Sequence, residues 1–366
     1  MSQAPHTQDP SNAAIVWNDA SRAAQFHQWL TQVAASHALD NSSLRLASAD
    51  ASFRRYFRID SCKAPFDEGK MPDSFIIMDA PPDKENCQPF VKIASLMQAA
   101  GIHAPQVLAW DEPQGFMLLT DLGAQTMMQV INRDDPQANL PLYLQAVDAL
   151  IAWQLSSKPD VLPPYDEALL LRELALFPEW YITQHKGVQI DDAMRFTLDN
   201  SFKQIIAANL SQPNVFVHRD FMPRNLMVGD RLGVLDFQDA VYGPITYDIA
   251  SLMRDAFLSW DEDFCLDVTI RYWEKARKAG LPVGTDFGEF YRAVEWMGLQ
   301  RHLKVAGIFA RLTLRDGKPQ YLADTPRFIT YIRTTCARYR ELKPLLRLVD
   351  KLEGIAEPDI FGFGRQ

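Results

Sequence analysis

The spacing of apolar residues changes along the chain. From residue 40 to residue 122, short apolar runs such as FIIMDAPP, QVLAW and GFMLLTDLG are bounded by turn residues, which is typical of β-strands. Two segments nearby have helical spacing instead. They are AAQFHQWLTQVAAS, which Asp19 or Ser21 could cap, and PFVKIASLMQAAG, which ends at Gly101.

Helical spacing dominates after residue 122. Apolar residues at intervals of three and four predict helices near 140–157, 165–185 and 191–210 and from residue 249 onward. The exception is 214–236, where NVFVH, NLMV and LGVLD have the composition of short strands. A turn of sequence Gly-Asp-Arg joins the last two of these as a β-hairpin.

This pattern predicts an α+β protein with two lobes. A small β-rich N-lobe is expected at 14–122, with an N-terminal helix and an antiparallel sheet. A large helical C-lobe is expected at 123–366, and it carries the β-hairpin. The boundary is a predicted linker near Leu122.

The composition and the net charge of the chain limit the kinds of molecule that it is expected to bind. The 366 residues carry a formal net charge of −9, which disfavours binding to a nucleic-acid backbone or an anionic membrane. The four cysteines form no C-x-x-C pair, which is typical of a reducing compartment. No apolar run reaches eighteen residues, and the first ten residues lack an apolar signal core. We therefore expect a cytoplasmic protein that acts on a small molecule, with neither nucleic acid nor membrane as its partner.

The candidate chemistry lies in VFVHRDFMPRNLMVGDRLGVLDFQDA, which spans 215–240. It contains His218-x-Asp220-x-x-x-x-Asn225 and, eleven residues later, Asp236. Phosphoryl transfer needs a carboxylate to orient the acceptor hydroxyl and divalent ions to neutralise charge on the phosphates. Asp220 suits the first role, and the side-chain oxygens of Asn225 and Asp236 suit a metal ion. A polar loop with capping side chains is the alternative, and His218 is better interpreted as packing beneath the loop than as a base.

Together with DFQDAVYGPITYDIASLMRD, this motif resembles the aminoglycoside/choline phosphotransferase superfamily over about residues 40–260. The resemblance implies a bilobal protein-kinase-like fold in which the hairpin is catalytic. It also implies ATP and Mg²⁺ as cofactors, with Asp220 as the catalytic base and Asn225 and Asp236 as metal ligands. Asp248 falls on a second motif and is implied to support the catalytic loop.

Three further stretches are similar to the bacterial N-acetylmuramate/N-acetylglucosamine anomeric kinases: DASFRRYFRI, MDAPPDKENC and GLQRHLKVAGIFARLTLRDGKPQYLADTPR. This similarity implies transfer of the ATP γ-phosphate to the C1 hydroxyl of a sugar in peptidoglycan recycling. Within the superfamily, an aminoglycoside, choline-like or homoserine-like acceptor is the alternative. A nucleotide-binding pseudokinase with a regulatory role is the alternative of another class.

The expected nucleotide site has a turn over the phosphates and a hinge beside the adenine. The turn contains Ser52, whose N–H and hydroxyl could contact phosphate, but no glycine, so it should be stiff. The hinge is LLTDLG, where backbone groups of Thr120, Asp121 and Leu122 are expected to pair with the adenine edge. An ordinary connection between a strand and a helix is the alternative for this segment.

The basic residue that usually anchors the phosphates is missing. Its position on the third strand falls on Met78 or Asp79, and QPFVKIA lacks the glutamate that usually pairs with it. Arg54, Arg55 or Lys84 would then supply the charge if the protein is an active enzyme. Adjacent strand residues face opposite sides, so only one of the two arginines can serve, and we prefer Arg54.

Arg301, Lys304, Arg311 and Arg315 fall on one face of a predicted helix at 299–315. A solvated face is one interpretation of this pattern. The other is that some of these residues bind the lactyl carboxylate of N-acetylmuramate, for which the fork of an arginine is suited.

Overall fold

The computed structural model describes residues 15–17, 19–49, 53–62 and 74–356. These residues fall into two compact units. The first lies within Met1–Thr126 and Leu226–Asp239, and the second within Met127–Asn225 and Ala240–Gln366. Most of the segment predicted as a loop after the second strand, 63–73, lies outside the described residues.

The first unit is built on a five-stranded antiparallel sheet. Its elements are α1 (Ala20–His37), β1 (Leu39–Ala49), β2 (Arg55–Ser61), β3 (Ser74–Asp79), α2 (Gln88–Ala99), β4 (Val107–Asp111) and β5 (Phe116–Thr120), and the strand order is β1-β2-β3-β5-β4. Asp19 caps α1 by accepting the N–H of Ser21 at 2.8 Å. The ring of Phe26 lies 5.2 Å from Phe57 and 5.5 Å from Phe116, so aromatic packing holds α1 against the sheet.

The predicted hairpin belongs to the first unit. In chain order its strands are the seventh and eighth, β7 (Leu226–Met227) and β8 (Gly233–Val234). The N–H of Val234 donates to the carbonyl of His103 at 2.8 Å, and the N–H of Val228 donates to the carbonyl of Gln125 at 2.9 Å. The first unit therefore differs from the predicted 14–122 lobe, because backbone hydrogen bonds attach a later segment of the chain to it.

The second unit is mostly helical, and its described residues contain one short strand pair. Its first strand, β6 (Asn214–Val217), pairs antiparallel with β9 (Val241–Pro244). The helices are α3 (Met127–Val130), α4 (Leu140–Leu155), α5 (Glu167–Leu174), α6 (Asp192–Leu210), α7 (Tyr247–Met253), α8 (Glu262–Lys278), α9 (Phe287–Leu314), α10 (Thr325–Arg338) and α11 (Lys343–Glu353), with a π-helical segment at Phe177–His185. The predicted α+β class, with a β-rich part followed by a helical part, is confirmed.

The 28-residue helix α9 runs through the second unit and packs closely against the chain that precedes the π-helical segment. A Cβ atom at Gly307 would lie 2.3 Å from the carbonyl oxygen of Leu176, so only glycine allows this approach. At this point α9 and the chain before the π-helical segment are therefore in close contact. None of the helices in the described part of the chain is both long and apolar enough to cross a membrane.

Candidate active site

The loop that carries Asp220 is held through the backbone of Arg219. This residue follows β6 with a φ of 78°, which is uncommon for any residue but glycine. Its N–H donates to Oδ1 of Asp248 at 3.0 Å, and the N–H of His218 donates to Oδ2 at 2.7 Å. From the other side, Nη1 of Arg301 donates to the carbonyl oxygen of Arg219 at 2.7 Å. Two buried charged side chains, Asp248 and Arg301, thus hold the backbone N–H and the carbonyl oxygen of Arg219. The left-handed backbone conformation of Arg219 costs about 1–3 kcal/mol.

Asp248 and His218 both have structural roles at this loop. Burial raises the pKa of Asp248, while His218 and the two N–H donors act in the opposite direction. The supporting role that the resemblance implies for Asp248 is confirmed by these contacts. His218 is 1% exposed, and its Nδ1 accepts the N–H of Asp220 at 3.3 Å. That contact agrees with the interpretation of His218 as a residue packed beneath the loop.

A buried carboxylate, Glu173 of α5, anchors the side chain of Arg219. It accepts hydrogen bonds from Arg219 Nη2 at 2.6 Å, Lys304 Nζ at 2.8 Å, Gln300 Nε2 at 2.9 Å and Tyr165 Oη at 2.5 Å. Burial would raise the pKa of Glu173, but Lys304 and Arg219 outweigh it and lower the pKa to about 2. The role of this residue was not predicted from the sequence. Glu173 could have been recognised in the sequence as an acidic side chain on the apolar face of a predicted helix.

The interpretation of α9 as carrying a solvated basic face is wrong for two of its four members. Arg301 is 5% exposed and Lys304 is 9% exposed, because other parts of the second unit cover this side of the helix. The guanidinium of Arg301 lies 4.6 Å from the ring centroid of Tyr247. Arg315 is exposed and pairs with Asp316, so the solvated interpretation holds at the end of the helix.

Asn225 is fixed in relation to the backbone of Asp220. It lies in a 3₁₀ turn, Pro223–Asn225, and its N–H donates to the carbonyl oxygen of Met222 at 2.8 Å. Its side-chain Nδ2 donates to the carbonyl oxygen of Asp220 at 2.9 Å. Because the amide nitrogen is used in this way, the carboxamide oxygen is the atom of this side chain that could bind a metal ion. Such a hard oxygen fits a magnesium ion.

Asp236 lies in the first unit, two residues beyond β8. It has a φ of 63°, its side chain is exposed, and its Oδ1 accepts a hydrogen bond from Gln238 Nε2 at 2.9 Å. The next residue, Phe237, is buried against the ring of Phe90 at 4.8 Å and so anchors the segment. Within the described residues no group of three or more His, Cys, Asp or Glu side chains could hold a metal ion. An exposed carboxylate on an anchored backbone nevertheless fits the ligand role assigned to Asp236.

The two adjacent arginines of the first unit have different partners. Arg54 is 9% exposed, and its Nη2 lies 3.1 Å from Oε2 of Glu85. Arg55 instead pairs with Asp79 at 2.5 Å, and Arg22 pairs with the other oxygen of the same buried carboxylate at 2.5 Å. Glu85 lies in the loop before α2, and its role was not predicted because the partner glutamate was expected on the helix itself.

In the predicted hinge, the backbone N–H of Thr120 is already hydrogen-bonded, and the carboxylate of Asp121 is held by an ion pair. The N–H of Thr120 donates to the carbonyl oxygen of Gln106 at 3.1 Å, so this donor is already used. The carboxylate of Asp121 forms a two-pronged pair with Arg58, at 2.5 and 3.0 Å. Leu122 follows directly. Ser52, the residue predicted in the phosphate turn, lies outside the described residues.

Comparisons with known proteins agree with this arrangement. Residues 43–284 match the family described as "Phosphotransferase enzyme family". The chain is 47% identical over 338 residues to an N-acetylmuramate/N-acetylglucosamine kinase of Neisseria meningitidis serogroup B, covering 92% of this chain and 97% of the relative. It is 49% identical over 312 residues to the protein of the same name from Pseudomonas aeruginosa, covering 85% and 89%.

Solved structures show the same fold at low sequence identity. An ethanolamine kinase of Plasmodium vivax superposes with a TM-score of 0.56 at 12% identity, over 93% of each chain. A choline kinase of Cryptosporidium parvum gives a TM-score of 0.56 at 12% identity, over 88% of this chain and 99% of the other. The family match covers more than half of the sequence, and its relatives align over nearly their whole length. The chain therefore belongs to the phosphotransferase enzyme family, as a kinase-like enzyme.

Proposed function

We propose that this protein is a cytoplasmic kinase that transfers the γ-phosphate of ATP to the C1 hydroxyl of N-acetylmuramate or N-acetylglucosamine. The observation that carries the proposal is the near full-length similarity, at 47% and 49% identity, to two relatives that bear the name of that activity. The clamped catalytic loop supports it, because Asp220, Asn225 and Asp236 are all retained. A pseudokinase usually lacks at least one of these three side chains.

In the proposed reaction, Asp220 binds the C1 hydroxyl and orients its oxygen toward the γ-phosphorus. The new oxygen–phosphorus bond forms as the bond from the γ-phosphorus to the bridging oxygen of ADP breaks. The hydroxyl proton passes to the carboxylate of Asp220. An anomeric hydroxyl is more acidic than an ordinary alcohol, so a carboxylate is a suitable base for it. Arg219, held by Asp248 and Glu173, keeps Asp220 in place during the transfer.

Asn225 and Asp236 are the residues that would hold Mg²⁺, which neutralises charge on the phosphates when bound. Replacing Asp236 by alanine removes a full negative charge from the ligand set. We expect weaker Mg²⁺-dependent ATP binding, measured by titration calorimetry, as well as slower turnover. Asp230→Ala, in the exposed turn of the same hairpin, is the matched control and should leave ATP binding unchanged. Binding of Mg·ATP by Asp236→Ala as tight as in the parent would remove Asp236 from the ligand set.

For the nucleotide phosphates, the proposed cation is Arg54, held by Glu85 in place of the usual lysine–glutamate pair. Thr120, Asp121 and Leu122 are the proposed adenine hinge, with Ser52 at the phosphate turn. Because Thr120 already donates its N–H, the backbone groups of Asp121 and Leu122 are the better candidates for the adenine contact.

Replacing Arg54 by alanine is expected to raise the KM for ATP by about tenfold or more, the worth of a charge-assisted hydrogen bond. The KM for the sugar should change less. Arg45→Ala is the matched control, because Arg45 pairs with Asp60 on the same sheet at 2.8 Å and has no proposed contact with ATP. An unchanged KM for ATP in Arg54→Ala would assign the phosphate anchor to another residue.

The experiment that tests the proposed function is an ADP-release assay over a panel of acceptors. We expect turnover with N-acetylmuramate and N-acetylglucosamine. Aminoglycosides, choline and homoserine should give only background rates. Turnover with one of the cationic acceptors alone would replace the proposal by that alternative, and ATP binding without any turnover would favour a regulatory protein.

A further inference from the structure

The segment that follows α7 contains a buried carboxylate whose second oxygen has no hydrogen-bond partner in the described part of the chain. Asp255 is 2% exposed, and its Oδ1 accepts the N–H of Phe257 at 2.5 Å. No donor contacts its Oδ2. An ionised oxygen in such a place is costly unless positive charge lies close by.

Three arginines supply positive charge near Asp255. Burial raises the pKa of Asp255 to about 6, and the N–H of Phe257 together with Arg301, Arg327 and Arg224 opposes the rise. Of these three, Arg301 is already engaged with the carbonyl oxygen of Arg219. Arg301 is also buried, whereas Arg224 is exposed and the side chain of Arg327 is 26% exposed, so these two guanidinium groups are the ones that a ligand can reach.

Arg224 and Arg327 contact the segment after α7 from two different parts of the second unit. The guanidinium of Arg224 lies 4.8 Å from the ring centroid of Phe257, and its side chain is exposed. Among the described residues, Arg224 forms no ion pair within 4.0 Å. Arg327, in the first turn of α10, donates from Nη1 to the carbonyl oxygen of Ala256 at 3.0 Å, and its Nη2 lies 3.4 Å from Asp324. The two arginines thus place positive charge beside the segment after α7, although the whole chain carries a net charge of −9.

Arg224 is also tied to the catalytic loop. It immediately precedes Asn225, whose side chain donates to the carbonyl oxygen of Asp220 at 2.9 Å. We therefore expect a ligand group bound by Arg224 to belong to the molecule that Asp220 orients. Stacking on an aromatic ring leaves the edge of a guanidinium open, and that edge matches a carboxylate with two parallel hydrogen bonds.

We propose that Arg224 and Arg327, which contact Phe257 and Ala256 in the segment after α7, form a subsite for a carboxylate on the acceptor. The inference rests on the proposed function, since its ligand is the lactyl carboxylate that N-acetylmuramate carries and N-acetylglucosamine lacks. It assigns carboxylate recognition to these residues rather than to Arg301, which is buried and holds the catalytic loop.

The test compares kcat/KM for the two sugars in Arg224→Gln and Arg327→Gln. For each variant, kcat/KM with N-acetylmuramate should fall at least about tenfold more than kcat/KM with N-acetylglucosamine, as expected for a lost charge-assisted contact. The methyl ester of N-acetylmuramate, which lacks the charge, should not show this extra loss. Arg224→Lys should lie between the parent and Arg224→Gln, because it keeps the charge without the fork.

Arg271→Gln, an exposed residue of α8 paired with Asp267, is the control and should leave the ratio between the two sugars unchanged.

Equal losses on both sugars in Arg224→Gln and Arg327→Gln would overturn the subsite. A rise in the KM for ATP that is the same with either sugar would also overturn it, because Arg224 would then bind phosphate. In both cases the parent enzyme still phosphorylates N-acetyl sugars. If the parent phosphorylates neither sugar, the proposed function itself has failed.

Discussion

Replacing Asp220 by alanine is expected to lower kcat by about 10²–10⁴-fold, the range for the loss of a positioned general base. The KM for ATP should change little, because the proposed role of Asp220 concerns only the acceptor hydroxyl. Steady-state kinetics with saturating Mg²⁺ measures both quantities. Asp220→Asn should have a similar kcat, since the amide can donate a hydrogen bond but cannot take up the proton.

The control for Asp220→Ala is a carboxylate on the surface of the second unit. Asp148→Asn removes an exposed partner of Lys275, which lies 2.7 Å away, and should leave kcat within about twofold of the parent, because exposed pairs contribute little. A turnover close to that of the parent in Asp220→Ala would remove Asp220 from the mechanism.

Replacing Glu173 by glutamine is expected to lower the free energy of unfolding by about 3–5 kcal/mol, because it leaves Arg219 and Lys304 as buried cations without their carboxylate. Chemical denaturation measures this loss. The turnover should fall as well, since Arg219 would lose the contact that holds its side chain beside Asp220. The pKa of Glu173 is lowered to about 2, so its stabilising effect is full above the unfolded pKa near 4.3. The difference between parent and variant should therefore shrink as the pH falls from about 5 toward 2.

Two further variants distinguish this cluster from an ordinary surface pair. Asp267→Asn breaks the exposed pair of Asp267 with Arg271 on α8 and should cost no more than about 0.5 kcal/mol. Adding Lys304→Met to Glu173→Gln should restore part of the lost stability, because it removes one of the two unpaired charges. A loss below about 1 kcal/mol in Glu173→Gln would contradict the account of Glu173 as the anchor of the catalytic loop.

The catalytic hairpin was predictable because its signal is local. The strands on both sides of its turn, and the polar residues at fixed spacings around it, lie within 215–240. The strand β9 was missed because its sequence, Val-Tyr-Gly-Pro, has only four residues and contains two that usually break strands. Its partner β6 lies more than twenty residues earlier in the chain, so no short-range pattern revealed the pair.

The partners of the charged residues could not be predicted from spacing. Periodicity placed Arg301 and Lys304 on one face of α9, but it could not show that other elements bury that face. The pair of Arg54 with Glu85 and the cluster around Glu173 join residues that are 31 and up to 131 positions apart. Such contacts are set by the packing of whole elements. The sequence alone could indicate only that a charged residue on an apolar face needs a partner.

Blocking the C1 hydroxyl of the sugar shows whether the phosphate is transferred to that group. The parent enzyme is incubated with ATP, Mg²⁺ and either N-acetylglucosamine or its methyl glycoside, and the products are identified by phosphorus NMR. We predict a phosphate at C1 of the free sugar and no phosphate on the glycoside. A phosphorylated methyl glycoside would contradict the assignment of C1 as the site of transfer.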